Sequence, residues 1–205
     1  MSEPLVPVFD LGNVFIEWDP MHLFRKLFAT EEEARWFAEH ICTEAWNLEF
    51  DAGELYAEGI AKLITRFPRY WREIQAFDLR WKETFGPFIQ GTIDVHAELV
   101  DADMPTFAIT NFSWEKWITC LGEWPFLEKF DGVIVSGLER LVKPDPRIFQ
   151  LFCERYALAP ESCVFIDDND SNVISARRVG MTAIHFTTPQ LLRAELIELG
   201  LPLKS

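Results

Sequence analysis

The chain has 205 residues, enough for one domain or for one core carrying a sizeable insertion. Its 49% hydrophobic residues can fill a packed interior, while 19 Lys and Arg against 33 Asp and Glu leave a formal net charge of −14. Such a surface repels nucleic-acid phosphates and anionic lipid, so neither is an expected partner, and a small anionic substrate needs a locally positive pocket.

The opening residues MSEPL lack a basic stretch followed by a long apolar run, so no signal peptide is expected. No apolar run approaches the roughly 20 residues of a membrane span. Cys42, Cys120, Cys153 and Cys163 are scattered, with no CxxC pair and no neighbouring His cluster. They read as reduced core thiols, from which a cytoplasmic location follows.

In chain order, the first element is the strand-like run VPVFD at 6–10, which ends in Asp10 and runs straight into the turn LGNV. The roughly 75 residues that follow carry no strand signal. Asp19 and Pro20 open a helix through MHLFRKLF, and Thr30 with Glu33 forms a capping-box pattern for EEEARWFAEHI. Leu55, Ile60, Leu63, Ile64 and Phe67 recur at helical spacing, as do Trp71, Ile74, Phe77, Trp81 and Phe85. The segment reads as an all-helical insertion over 18–92. Trp36, Trp46, Trp71 and Trp81 are expected to build its own small core rather than to cradle a cofactor.

Beyond it, strand-like runs at 106–111, 132–137, 163–168 and 182–186 alternate with helix-like segments. Ser113 is placed to cap the helix beginning WEKWI, and Pro146 and Pro189 suit first-turn positions. Ser171 opens a further helix that ends before Gly180. Strands alternating with helices predict a doubly wound parallel α/β sheet, formed by residues 1–17 and 93–205. Ligands on such sheets bind at the carboxyl ends of the strands. Asp10, Thr110 with Asn111, Ser136, and Asp167 with Asp168 all fall there, and a helical lid above them would exclude water.

Acids at two strand ends repel each other unless a cation sits between them. A hard divalent ion such as Mg²⁺ does this with oxygen ligands. Lys143, in the Pro-bounded segment LVKPDP, is a fixed cation that can neutralise the remaining charge and a substrate oxygen. Thr110 offers a hydroxyl, Asn111 adds backbone donors at a strand-to-helix junction, and Asn172 can support the metal shell. A carboxylate nucleophile, a metal, a lysine and a hydroxyl together make a phosphoryl-transfer set working through an aspartyl-phosphate. His185, at the end of the fifth strand, reads as a structural histidine.

That ordered set resembles the haloacid dehalogenase superfamily over nearly the whole chain. VFDLGNV is similar to its first motif, ITNFS to the second, LVKPDPRIF to the third and FIDDNDSNV to the fourth. The resemblance implies a Rossmann-like hydrolase core with a helical cap, Asp10 as nucleophile, Thr110 as phosphate-binding hydroxyl and Lys143 as the lysine. Asp167 and Asp168 are implied as metal acids. The phrase FDLGNV resembles a branch of small bacterial sugar-phosphate phosphatases.

Gly12 departs from the family's phosphatases, in which a second aspartate protonates the leaving group and then activates water. The backbone carbonyl of Gly12 can still serve as a metal ligand. Acid–base help, a factor of roughly 10²–10⁴ in rate, must come from elsewhere, with Glu17 and Asp19 as candidates, or be unnecessary. The expected function is a Mg²⁺-dependent phosphatase for a small phosphorylated metabolite such as a sugar phosphate. The alternatives are a 2-haloacid dehalogenase forming an ester on Asp10 without metal, and a non-catalytic phospholigand-binding member. Oligomeric state is not set by the sequence.

Overall fold

The computed structural model describes residues 5–204. Five short strands, β1 (Val6–Phe9), β4 (Phe107–Thr110), β5 (Gly132–Val135), β6 (Cys163–Asp167) and β7 (Thr182–His185), form one parallel sheet in the order β5-β4-β1-β6-β7. Their continuous apolar character follows from burial on both faces. Alternate residues serve opposite layers. Phe9, Ala108 and Ile166 pack with Val95, Leu99 and Leu196 on one side. Val8, Ile109 and Phe165 pack with Phe149, Phe152 and Val173 on the other. The first layer is covered by α6 (Gln90–Asp101), α7 (Trp114–Cys120) and α11 (Pro189–Glu198), the second by α9 (Pro146–Tyr156) and α10 (Asp170–Val179). The direction of winding reverses between the adjacent strands β1 and β6, which places the sheet's switch-point crevice between Asp10 and Asp167.

Several helix starts follow the sequence reading. Pro146 and Pro189 occupy first-turn positions, and Gly180, with φ of 106°, ends α10. Two starts differ. Asn169, not Ser171, caps α10, because its side chain reaches the Ser171 N–H at 2.9 Å. Ser113 stands at the start of α7, but its hydroxyl makes no capping bond and is buried without a partner among the described residues.

The insertion contains α1 (Met21–Phe24), α2 (Glu31–His40), α3 (Glu44–Asp51), α4 (Tyr56–Arg66) and α5 (Trp71–Leu79). The Thr30–Glu33 capping box is complete. The insertion has its own apolar centre, in which Phe24, Phe37, Phe50, Ile60, Leu63 and Phe77 meet, separate from the two sheet layers. Of the four tryptophans assigned to it, only Trp46 is buried there. Trp36 and Trp71 are 44% and 46% exposed, and Trp81 lies at the boundary with the sheet domain. Rings on an amphipathic helix need not all face inward, and phenylalanine carries the packing instead.

The insertion is also not entirely helical. β2 (Ile16–Trp18) and β3 (Phe85–Phe88) pair antiparallel at its base, with Ile16 opposite Phe88 and Trp18 opposite Phe85. Three and four residues are too few to show a period of two, and Pro87 gives β3 the pattern of a chain break. The expected limits of 18–92 accordingly fall on the last residue of β2 and inside α6. The helix expected through Phe28 is regular only to Phe24. All four cysteines are buried and free. Among the described residues no helix is long and apolar enough to cross a membrane.

Candidate active site

Asp10 leaves the end of β1 with its N–H bonded to Ile166 O at 2.8 Å, which fixes it beside the end of β6. Its Oδ1 accepts from the Leu11 N–H at 2.7 Å and lies 2.8 Å from Lys143 Nζ. The same ammonium sits 2.7 Å from Asp167 Oδ2, and Lys143 is only 2% exposed. Asp167 is fully buried and saturated: it also accepts from Asn169 N–H at 2.8 Å and from Asn172 Nδ2 at 3.0 and 3.1 Å. Asn172 therefore orients Asp167 through its amide nitrogen. Asp168 follows, half-buried, beside the side chain of Asn13.

Carboxylate oxygens of Asp10, Asp167 and Asp168 all lie within 4.8 Å of one another. One ammonium among three carboxylates leaves two negative charges uncompensated in a poorly solvated place. Burial raises the Asp10 carboxyl well above its ordinary value, more than the Lys143 ammonium brings it down, and the charge of Asp167 adds to the rise. Burial, then Asp167, raises Asp168 as well. Lys143 is pulled the other way: burial disfavours its charge, but Asp10 and Asp167 outweigh burial and hold its pKa above the usual lysine value. A hard divalent cation with oxygen ligands fits this set by charge and by donor type. Asp10 and Asp168 are the members whose oxygens are not fully taken up by protein donors.

Asn111 acts on the site through its side chain. Its amide accepts from Lys143 N–H at 2.8 Å and donates to Lys143 O at 3.0 Å, clamping the lysine's segment. Thr110 is buried at the end of β4, behind the cavity wall. Ser136 opens the short helix α8 (Ser136–Glu139), and its hydroxyl serves Phe112 N–H and Asp51 O rather than the crevice. His185 meets the Asp168 carbonyl at 2.8 Å and stays outside the cavity, as a structural residue does.

The crevice opens into a cavity of about 230 Å³ lined at its base by Asp10, Gly12, Asn111, Lys143 and Asp168. Its walls include Ile16, Trp18, Trp81, Phe85 and Phe112. Helix α3 adds Glu44, Asn47, Leu48 and Asp51, the i, i+3, i+4, i+7 face of one helix. Neither acid proposed to replace the missing side chain is there. Ile16 and Trp18 face the cavity, so Glu17 between them points the other way, against Gly86 and His22. Asp19 accepts from Met21 N–H at 2.8 Å and approaches Arg25 at the surface. Sequence reasoning missed Asp51, Asn47 and Trp18. No local pattern marks them, because tertiary packing alone turns α3 and β2 toward the crevice.

A model of the haloacid dehalogenase-like hydrolases matches residues 8–180. The sesquiterpene phosphatase astK of Aspergillus oryzae is 24% identical over 94% of this chain and 94% of its own length. Acyl-CoA dehydrogenase family member 10 of Mus musculus is 43% identical over 77 residues, 37% of this chain, and the match spans only 7% of that protein. Among solved structures, a HAD family enzyme from Bacteroides thetaiotaomicron in complex with magnesium and inorganic phosphate superposes with a TM-score of 0.71 at 20% identity. The match covers 90% of this chain and 95% of that one. With a parallel sheet of this order, an inserted helical cap and an acid–lysine cluster at the switch point, this chain belongs to the haloacid dehalogenase-like hydrolases.

Proposed function

We propose that this hydrolase is a Mg²⁺-dependent phosphatase that cleaves a small phosphate monoester through an aspartyl-phosphate on Asp10. The observation that carries the reading is the cluster of three carboxylates, two of which pair with one buried lysine. A phosphate dianion cannot approach such a cluster without a further positive charge. Mg²⁺ held by Asp10, Asp168 and the Gly12 carbonyl would supply that charge.

The chain's own groups account for the rest. Asp10 Oδ2, which accepts no hydrogen bond among the described residues, is free to attack phosphorus. Lys143 holds Asp10 and Asp167 in place and presents its ammonium to a phosphoryl oxygen. Thr110, assigned by family resemblance, ends β4 just outside the cavity lining and would turn its hydroxyl toward the phosphate. Asn172 and Asn169 hold Asp167 in its orientation. The aromatic walls favour an alcohol with a substantial apolar face. Both a terpenoid alcohol, as in the name of the Aspergillus relative, and the C–H face of a sugar ring meet that requirement.

The same geometry weighs against displacement of halide without metal. Without a cation, burial and Asp167 hold the Asp10 carboxyl above its ordinary value and weaken it as a nucleophile, an effect that a bound cation would reverse. The test is a hydrolysis screen over sugar phosphates, terpenoid phosphates and 2-haloacids, with and without Mg²⁺, run beside Asp10→Asn. Phosphate release that needs Mg²⁺ and vanishes in the variant is expected. Halide release in the presence of chelator would establish the dehalogenase instead, and binding without turnover of any ester would leave a phospholigand-binding protein.

A further inference from the structure

Gly12 leaves the site without the acid that usually handles the leaving group, and an ideal Cβ built on it meets nothing within 4 Å. The gap is open space beside Asp10, free for a group delivered from outside the motif. Apart from the metal-binding acids, two carboxylates line the cavity among the described residues, Glu44 and Asp51. Glu44 sits in the first, exposed turn of α3, whereas Asp51 ends that helix two turns deeper, against the sheet domain. Ser136 Oγ donates to the Asp51 carbonyl at 2.6 Å, across 85 residues of sequence, and pins the helix end to the end of β5. Asn47 Nδ2 reaches Asp51 Oδ2 at 3.2 Å, and the Ser113 N–H faces the carboxylate. Beside it, Ser113 Oγ is buried in the cavity lining with no partner among the described residues, an unused group for a substrate oxygen.

Resting on the phosphatase reading, we infer that Asp51, delivered by the cap, is the proton donor to the leaving oxygen and the base for the second step. As Asp10 Oδ2 bonds to phosphorus and the P–O bond to the alcohol breaks, the Asp51 carboxyl gives its proton to the departing oxygen, which leaves as the neutral alcohol. The resulting carboxylate then takes a proton from water as that water attacks the aspartyl-phosphate. Inorganic phosphate leaves, and Asp10 and the protonated Asp51 are restored.

The surroundings suit both roles. Burial pushes Asp51 up to about 7, with the Ser113 N–H and the Lys143 ammonium opposing the rise, so both protonation states are populated near neutrality. Tyr56 at the start of α4 faces Asp51; Glu115, which accepts the Tyr56 N–H, and the Lys116–Asp78 pair gather around that tyrosine, and Arg140 lies against Gly53. None of these replaces a carboxyl at this spot.

The test compares Asp51→Asn with the unmodified protein, in Mg²⁺, on p-nitrophenyl phosphate and on p-nitrobenzyl phosphate, a similar ester with a far poorer leaving group. The variant keeps an acceptor for Ser113 and leaves the Ser136 contact to the backbone intact. Its kcat/KM on the benzyl ester should fall by roughly 10²-fold or more. On the phenyl ester, nitrophenolate needs no proton, so the first turnover should survive as a burst matching the enzyme concentration, followed by slow turnover as the aspartyl-phosphate waits for a base. A structural role alone would depress both esters alike without a burst, and that result, or no change, overturns the assignment. If the variant does not fold, the pH profile of the unmodified protein decides. A fall in kcat/KM above about pH 7 with the benzyl ester and not the phenyl ester supports the role, and parallel profiles overturn it. A protein that turns over neither ester overturns the phosphatase reading, and the role of Asp51 with it.

Discussion

The side-chain amide of Asn111 grips both backbone groups of Lys143, accepting its N–H at 2.8 Å and donating to its carbonyl at 3.0 Å. Two loops that leave different strands are thereby locked together at the point where the cluster's one cation must be aimed. Asn111→Ala removes both bonds and leaves two partly buried backbone groups to find water. Stability should fall by ~1–3 kcal/mol in denaturant unfolding. If the clamp positions the lysine, kcat should fall about tenfold or more with little change in KM. A variant that loses stability but keeps kcat would reduce Asn111 to a loop staple.

Metal binding should be visible without any substrate. Two uncompensated charges in the cluster mean that Mg²⁺ bound to the folded chain raises the unfolding temperature, by mass action. Asp168→Ala should abolish most of that shift while folding normally in chelator, because it removes a partly exposed acid from a repulsive set. Thermal scans with increasing Mg²⁺ check this. An equal Mg²⁺ shift in the variant and the parent would place the ion elsewhere.

Gly12→Asp should be accepted by the fold. The position has open space around a built Cβ, and Gly12 is not among the glycines with positive φ. Unfolding temperature in chelator should stay within a few degrees of the parent. With Asp51 in place, sensitivity to leaving-group pKa should change little; added to Asp51→Asn, the new carboxyl should restore part of the lost rate on poor leaving groups, below the roughly 10²–10⁴ ceiling for one acid–base group. The surrounding turn is not built to orient the new side chain. A steep dependence that persists unchanged in that double variant would mean that the added carboxyl does not reach the leaving oxygen.

His96 makes an acid-sensitivity prediction. Its ring is buried, stacked on Phe130 at 4.2 Å and bonded to Thr106 Oγ1 at 2.9 Å, and burial lowers its pKa to about 4. Between about pH 6.5 and 4 the unfolded chain binds a proton here that the folded chain refuses, so stability falls as pH falls through that window. The contribution is ~2 kcal/mol between pH 8 and pH 5. His96→Gln cannot titrate and should lose that much less over the same interval, whatever its stability at pH 8. Urea unfolding of both proteins at the two pH values checks the difference. An equal loss in both would mean that the ring gains its proton in the folded state.

What the sequence determined by itself is the sheet and the acid–lysine end of the site. Each strand is a short apolar run buried on both faces, and each acid stands at the point where that run stops, so Asp10, Asp167, Asp168 and Lys143 are placed by local pattern. The capping box at Thr30 and the proline starts of α9 and α11 are equally local. Tertiary structure decided the side of the cavity that the cap supplies. Glu17 and Asp19 are adjacent in sequence to the motif, yet the pairing of β2 with β3 turns Glu17 away, because successive side chains of a strand face opposite sides. Asp51 lies at the end of an ordinary amphipathic helix. It acquires its setting only from Ser113, Ser136 and Lys143, all of which arrive from more than 60 residues further along the chain. Burial that shifts a carboxyl toward neutrality depends on what packs around it, and that packing is long-range.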